Sequence, residues 1–419
     1  PSTATPLPPT ATPLSASTSV PAEGPSYMPV GPGFSDVIAR QIVRTSDDRL
    51  YIFAPRTYST QLRAYWASAP GLPTAATTFS FAQVSDTSHL LSAEAVYDGG
   101  GFVHVLVNTN AGILKDYVFD LAQNTFRPAL PLSTGNPTVS GDYIGTAGVS
   151  GMVDLAGRLQ VAYWSNANHI THQAYTYDAL AHTLTPVGTA VQVDAAGSAN
   201  HPVVAVSPAD GALTVAWVSE AAAPVRILTR TRMTNGVWSA VQTVSTAPVW
   251  TSLYFGVNID QGPSLVIDPA GVKHLVYIEN NDATNDYGRV HYAADAGNGW
   301  VDQALPIYSH DPALALTGAG DLYVIGHGHP NNALYQSANP ACRSMDEMCV
   351  LKRQANGTWG ASQLFAPKPG AESFDGSPSV KWSVVGFNRP DLIEFVFFST
   401  PYNDPTLYYG RLATTGLPA

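Results

Sequence analysis

Apolar and polar positions alternate with a period of two in "GPSLVIDPAGVKHLVYIENN", Gly262 to Asn281. Val266 and Asp268, then Leu275 and Tyr277, follow that alternation, with Pro269-Ala270-Gly271 between them. Proline presets φ at the start of a turn and glycine takes the positive φ that a tight turn needs. The stretch therefore predicts two short antiparallel strands joined by a turn.

The unit recurs. Strand, short Asp/Gly turn and strand repeat around Asp48, Gly100, Ala156, Asp210, Ala270, Ala319 and Gly386. The second strands read "LYIFAP" (Leu50), "FVHVLVN" (Phe102), "LQVAYWS" (Leu159), "LTVAWVS" (Leu213), "KHLVYIE" (Lys273), "LYVIGHG" (Leu322) and "LIEFVFFS" (Leu392). Third strands follow, such as "LRAYWASA" (Leu62) and "VRILTRTRM" (Val225), and fourth strands carry Gly or Asn beside Trp, as in "NGVW", "GNGW" and "NGTW". Turn-to-turn spacings of about 50 to 68 residues, repeated seven times, describe a propeller. Radial closure hides the edges that an open stack of sheets would expose. The fold class is all-β, a seven-bladed β-propeller of four-stranded antiparallel blades.

The seventh unit ends after its third strand, "TLYYGRLA" (Thr406 to Ala413), while "SYMPVGPGFSDVI" precedes the first unit. A stretch between Ser26 and Ile38 is expected to supply the missing outer strand and so clasp the two ends of the ring. The chain divides into a Pro/Thr/Ser-rich stalk, 1–33, and the propeller, 34–419.

Composition agrees with the pattern. Of 419 residues only 12% are charged, about half the usual globular share, and Gly 35 with Pro 33 supplies many turns. No helical apolar periodicity stands out. A net charge of −11 with scattered Lys and Arg gives no basic footprint for nucleic acid. No apolar run reaches the ~18 residues of a membrane-spanning helix. Cys342 and Cys349 in "ACRSMDEMC" suit a local disulfide of an exported protein, or two buried thiols.

The tail "PSTATPLPPTATPLSASTSVPAEGPSYMPVGP" is nearly uncharged and cannot bury a core. It predicts an extended, polyproline-like stalk with Thr3, Thr5, Thr10 and Thr12 as candidate O-glycosylation positions, or a plain tether. It resembles the Thr-Pro linkers of bacterial surface proteins.

The repeat resembles the sialidase-like, BNR-type propellers, most closely at "PSLVIDPAGVKHLVY". That family's Asp-box, Ser-x-Asp-x-Gly-x-Thr-Trp, is absent. The resemblance implies the architecture. A sialidase would add three arginines for a carboxylate, a tyrosine nucleophile and an acid. Arg40, Arg44, Arg49 and Arg56 crowd the first unit, and no matching set follows in later ones.

In such a ring the second-to-third and fourth-to-first connections share one face, and the first-hairpin turns lie opposite. The first face gathers amides, histidines and aromatics: Asn166, Asn168 and His169; Trp250 and Tyr254; Asn280, Asn281 and Tyr287; His327, His329, Asn331 and Asn332; Tyr402 and Asn403. Fixed amides bind hydroxyls and an aromatic ring packs on a sugar's C–H side, although Asn, Asp and Gly are also common loop residues. Glu279, Asp282 and Asp286 are oxygen ligands suited to calcium, the one cofactor the sequence raises, or members of a solvated turn. His327 and His329, with His169, His172 or His310, offer a metal site or an acid–base pair, or ordinary hydrogen-bonded histidines. No phosphate loop, nucleophile elbow or HExxH motif occurs.

These features predict an extracellular, surface-displayed binding or structural propeller: an adhesin-like head, or the outward domain of a filament subunit. Its partners would be a surface glycan or protein ligand, or neighbouring subunits, with no membrane insertion. A polysaccharide lyase or glycosidase working on the loop face is the other reading.

Overall fold

The computed structural model describes residues 26–33, 40–56, 59–135, 148–165, 168–249, 253–254, 257–258, 262–279, 288–309, 312–327, 348–360, 363–365, 379–380, 388–399 and 406–414. Seven four-stranded antiparallel blades form a β-propeller. From the inside outward, blade one is Ile42–Arg44, Leu50–Pro55, Gln61–Ala67 and Phe79–Ser85. Blade two is Leu90–Tyr97, Phe102–Thr109, Leu114–Asp120 and Leu130–Ser133, with Thr125–Phe126 added beside its third strand. Blade three is Val149–Val153, Leu159–Ser165, His169–Asp178 and Thr183–Gln192. Blade four is Ala199–Val206, Leu213–Ser219, Arg226–Arg232 and Gln242–Thr243. Blade five is Ser264–Ile267, Lys273–Ile278, Gly288–Asp295 and Val301–Ser309. Blade six is Ala313–Leu316, Leu322–His327, Met348–Lys352 and Gln363–Phe365.

Blade seven runs Ser379–Val380, Leu392–Ser399, Thr406–Ala413 and then Ser26–Pro32. Its outer strand thus comes from the other end of the described chain, with Ser26 opposite Arg411 and Pro32 opposite Thr406. The expected clasp is present, and it moves the boundary: residues 26–32, counted above with the stalk, belong to the ring. Tyr27 seals it by standing edge-on to Phe397, ring centroids 5.3 Å apart.

Core lies between blades. Inner strands such as Ala199–Val206 are buried throughout, because each is pressed between neighbours on both faces. Third strands alternate, as in Arg226–Arg232, and outer strands such as Thr183–Gln192 are largely exposed. The repeated tryptophan has a common task. Trp238 of blade four stands edge-on to His172 of blade three, 5.3 Å between centroids. Trp300 of blade five donates to Thr229 of blade four at 3.0 Å. Trp359 of blade six packs on Tyr292 of blade five at 4.9 Å. Each reaches the third strand of the preceding blade and fastens the ring locally.

A second repeated device is the turn acid. Asp98, Asp154 and Asp268 each accept two backbone amides of their own turn at 2.7–3.0 Å. The glycines at 157 and 271 in two of these turns have φ of +74° and +84°, where a Cβ is strained. The residue six positions after each Asp is His104, Gln160 or His274, and each engages a third-strand side chain: Asp116 at 2.6 Å, His172 at 2.9 Å and Tyr292 at 2.6 Å. Polar groups on buried strands are tolerated because they are paired in this way.

Candidate functional site

The loop face is built where second strands end and inner strands begin. In blade three the turn after Leu159–Ser165 returns at Asn168, exposed and left-handed at φ +56°, whose carbonyl accepts the Ala199 amide at 2.9 Å. His169 follows. Its Nδ1 lies 2.7 Å from Asp194 Oδ2, and Asp194 in turn accepts the amides of Ile170 (2.7 Å) and Gly197 (3.0 Å). Gly197 has φ +71°, and a Cβ there would come 3.3 Å from the His169 ring. The imidazole is therefore fixed on one side by a buried carboxylate, and 25% of its side chain is exposed. A histidine that donates Nδ1–H to a carboxylate presents Nε2 as an acceptor.

Beside it, at the top of blade four, Ser198 and His201 are left-handed at φ +50° and +47°. Asn200 donates to Glu220 at 3.0 Å, and its amide oxygen lies 3.0 Å from His201 Nδ1. Non-glycine residues in that region concentrate where surroundings over-determine them, commonly at binding sites.

Blade five carries the other cluster. His291 Nε2 lies 3.1 Å from Glu279 Oε2, and its Nδ1 lies 3.1 Å from Asp302 Oδ1. Asp302 also accepts the Tyr277 hydroxyl at 2.6 Å and both the amide (2.7 Å) and hydroxyl (2.5 Å) of Thr246, from the connection leaving blade four. Burial alone would raise the Asp302 carboxyl, but the bonds from His291, Thr246 and Tyr277 hold it below the ordinary value. Burial, reinforced by Asp302, pushes the Tyr277 hydroxyl well up. The result is a carboxylate–imidazole–carboxylate line on the side of blade five that meets blade four, with Glu279 at its more open end.

Of the residues expected on this face, Asn168, His169 and Glu279 are described with their side chains. Tyr254 falls on a small hairpin, Leu253–Tyr254 against Val257–Asn258, and His327 ends its strand opposite Met348; both are described by backbone only. Asn166, Trp250, Asn280, Asn281, Tyr287, His329, Asn331, Asn332, Tyr402 and Asn403 lie outside the described residues. So do Asp282 and Asp286, so Glu279, bonded to His291, is the one described member of the calcium set. Among the described residues no group of three His, Cys, Asp or Glu is arranged to hold a metal. Cys349 is buried on its strand, while Cys342 and the four stalk threonines lie outside the described residues.

One expectation is corrected. His172 is not on the loop face; it is buried between blades, on Gln160 and Trp238. Two arginines of the first unit, Arg40 and Arg44, are spent on structure, in keeping with the lack of a matching sialidase set in the sequence. Arg40 reaches Glu94 (3.1 Å) and the carbonyls of Gly151 (3.3 Å) and Val204 (2.8 Å), tying blades one to four together, and Arg44 is held by Glu394 at 2.5 Å. Neither is left to bind a carboxylate ligand. Asp194 and His291 were missed; the signal for them was weak, since each is a single polar residue in an otherwise ordinary strand or loop.

Burial, and then Arg232, pull the His172 imidazole down to about 4. Its native form is neutral, whereas the unfolded chain takes up a proton below its ordinary value of about 6.5. Stability is therefore expected to fall between pH ~6.5 and ~4. Urea midpoints across that window should fall less steeply for His172→Gln.

No protein-family model matches the chain, and no curated protein sequence does. Solved structures do. The polysaccharide lyase Uly1 superposes with a TM-score of 0.51 at 11% identity, over 90% of each chain. Hydrazine synthase of Kuenenia stuttgartiensis gives 0.51 at 12%, over 89% of this chain and 96% of that one. A sialidase of Trypanosoma rangeli gives 0.48 at 12%, over 93% and 60%. At such identities the likeness to the first two shows the propeller fold and not the chemistry.

Proposed function

We propose that the chain is an extracellular binding and display propeller that engages a surface glycan or protein ligand through its loop face. An adhesin-like head and the outward domain of a filament subunit are the two settings that fit the proposed stalk. In this reading Cys342 and Cys349 would form a bridge and the chain would work in an oxidising compartment. The observation that carries the reading is the fixed, part-exposed His169–Asp194 pair among left-handed backbone positions at the mouth of blades three and four. Such a rim offers oriented acceptors and donors to hydroxyls.

The other reading, a carbohydrate-active enzyme, draws on one observation, the Tyr277–Asp302–His291–Glu279 line, which resembles an oriented acid–base system. One pair of assays separates the two. A glycan array probed with the purified chain should give binding that His169→Ala weakens about tenfold. Absence of binding to any glycan or cell surface, together with depolymerisation of acidic polysaccharides that His291→Ala abolishes, would establish the enzyme instead.

A further inference from the structure

The face of the first-hairpin turns, opposite the loop face, carries two adjoining clefts. One of 320 Å³ lies between blades three and four, and one of 390 Å³ between blades four and five. Asp210 and Met233 line both, so the two form a trough that passes blade four. Each volume is in the range that small ligands occupy.

Three features define what it would take. The first is an apolar shelf. Leu155 is 55% and Met233 50% exposed, and both line the cleft between blades three and four. Single exposed apolar residues are ordinary; here two of the seven large ones exposed among the described residues line the same cleft. The second is unspent polar capacity. Arg232 donates no side-chain hydrogen bond among the described residues, and Asp210, which accepts the Ala212 amide at 3.0 Å and is bonded to Ser207, forms no ion pair there. Donors and acceptors thus stand in one cleft, and a hydroxyl group is both at once. The third is balance of charge. Arg158 pairs with Asp154 at 2.8 Å, Lys273 with Asp295 at 2.9 Å, and Asp210 offsets Arg232. A charged ligand meets no net field.

We propose that this trough binds a neutral oligosaccharide. The C–H face of a pyranose rests on Leu155 and Met233, and its vicinal hydroxyls span Arg232 and Asp210. The site is separate from the loop face and does not depend on the function assigned there.

The test is calorimetric titration of the whole chain with maltotriose, cellotriose and mannotriose, with trigalacturonate as the acidic comparison. At least one neutral trisaccharide should bind with millimolar or better affinity, unchanged by added salt. Met233→Asp and Arg232→Ala should each weaken it about tenfold, while His169→Ala leaves it intact. Both trough substitutions are at partly exposed positions, and thermal unfolding checks that each variant folds. Failure of all three neutral sugars to bind at millimolar concentration would overturn the proposal. So would preferred, salt-sensitive binding of trigalacturonate, or binding that Met233→Asp leaves unaltered. Loss of glycan-array binding in His169→Ala with trough binding retained would show the two faces to be independent.

Discussion

Arg44→Met is expected to cost about 3–5 kcal/mol of stability, the range for removing one partner of a buried ion pair. Arg44 lies on the inner strand of blade one and Glu394 on the second strand of blade seven, so their pair crosses the seam where the ring closes. The guanidinium makes contacts of 2.8, 2.8 and 2.5 Å with the carboxylate, and reaches the carbonyls of Asp48 (2.7 Å) and Gly71 (3.0 Å). Tyr409 donates to the same carboxylate at 2.7 Å. Side-chain exposure is 0% for Arg44 and 2% for Glu394, so methionine would leave a negative charge without its partner and away from water. Denaturant midpoints should show the loss, and Arg44→Met with Glu394→Leu should recover part of it, since the stranded charge is then gone as well. A double variant that is no better than the single one would mean that the lost contacts to Asp48 and Gly71 within blade one, and not the stranded charge, account for the loss.

Deleting residues 1–33 should be at least as damaging. It removes the outer strand of blade seven and uncovers Thr406–Ala413, which pairs with Ser26–Pro32 from Arg411 to Thr406. An unpaired edge is a template for another chain, so the truncated protein should both unfold earlier and self-associate. Tyr27→Ala should reproduce part of the effect, about 2 kcal/mol, through lost packing on Phe395 and Phe397. Deleting residues 1–25 should leave the midpoint where it was. Light scattering and thermal unfolding of the three variants distinguish a closing strand from a passive tail.

Much of this architecture is legible in the chain because it is local. Period-two alternation, Asp/Gly turns and the missing fourth strand of the last unit led directly to blades, ring and clasp. One further local signal was there to be read. "DGGGFVH", "DLAGRLQ" and "DPAGVKH" share an Asp, a Gly three residues on and a His or Gln six residues on. These are the turn acid, its positive-φ glycine and the interior polar residue that reaches the third strand. Chemistry of the loop face was far less legible. His172 and His169 are three residues apart and look alike in sequence, yet one is buried between blades and the other opens to solvent.

The sequence by itself determined the elements and their number, because a turn needs only its own glycine, proline or aspartate and a strand only its own alternation. Tertiary structure alone decided which ionisable groups meet. Arg44 finds Glu394 across 350 positions, Arg40 finds the Val204 carbonyl across 164, and Asp302 meets Thr246 of another blade. Those partners are set by ring closure and by the packing of neighbouring blades. The periodicity within one blade places each polar side chain on a face of its sheet, but it carries no information about the group that the next blade will bring against it.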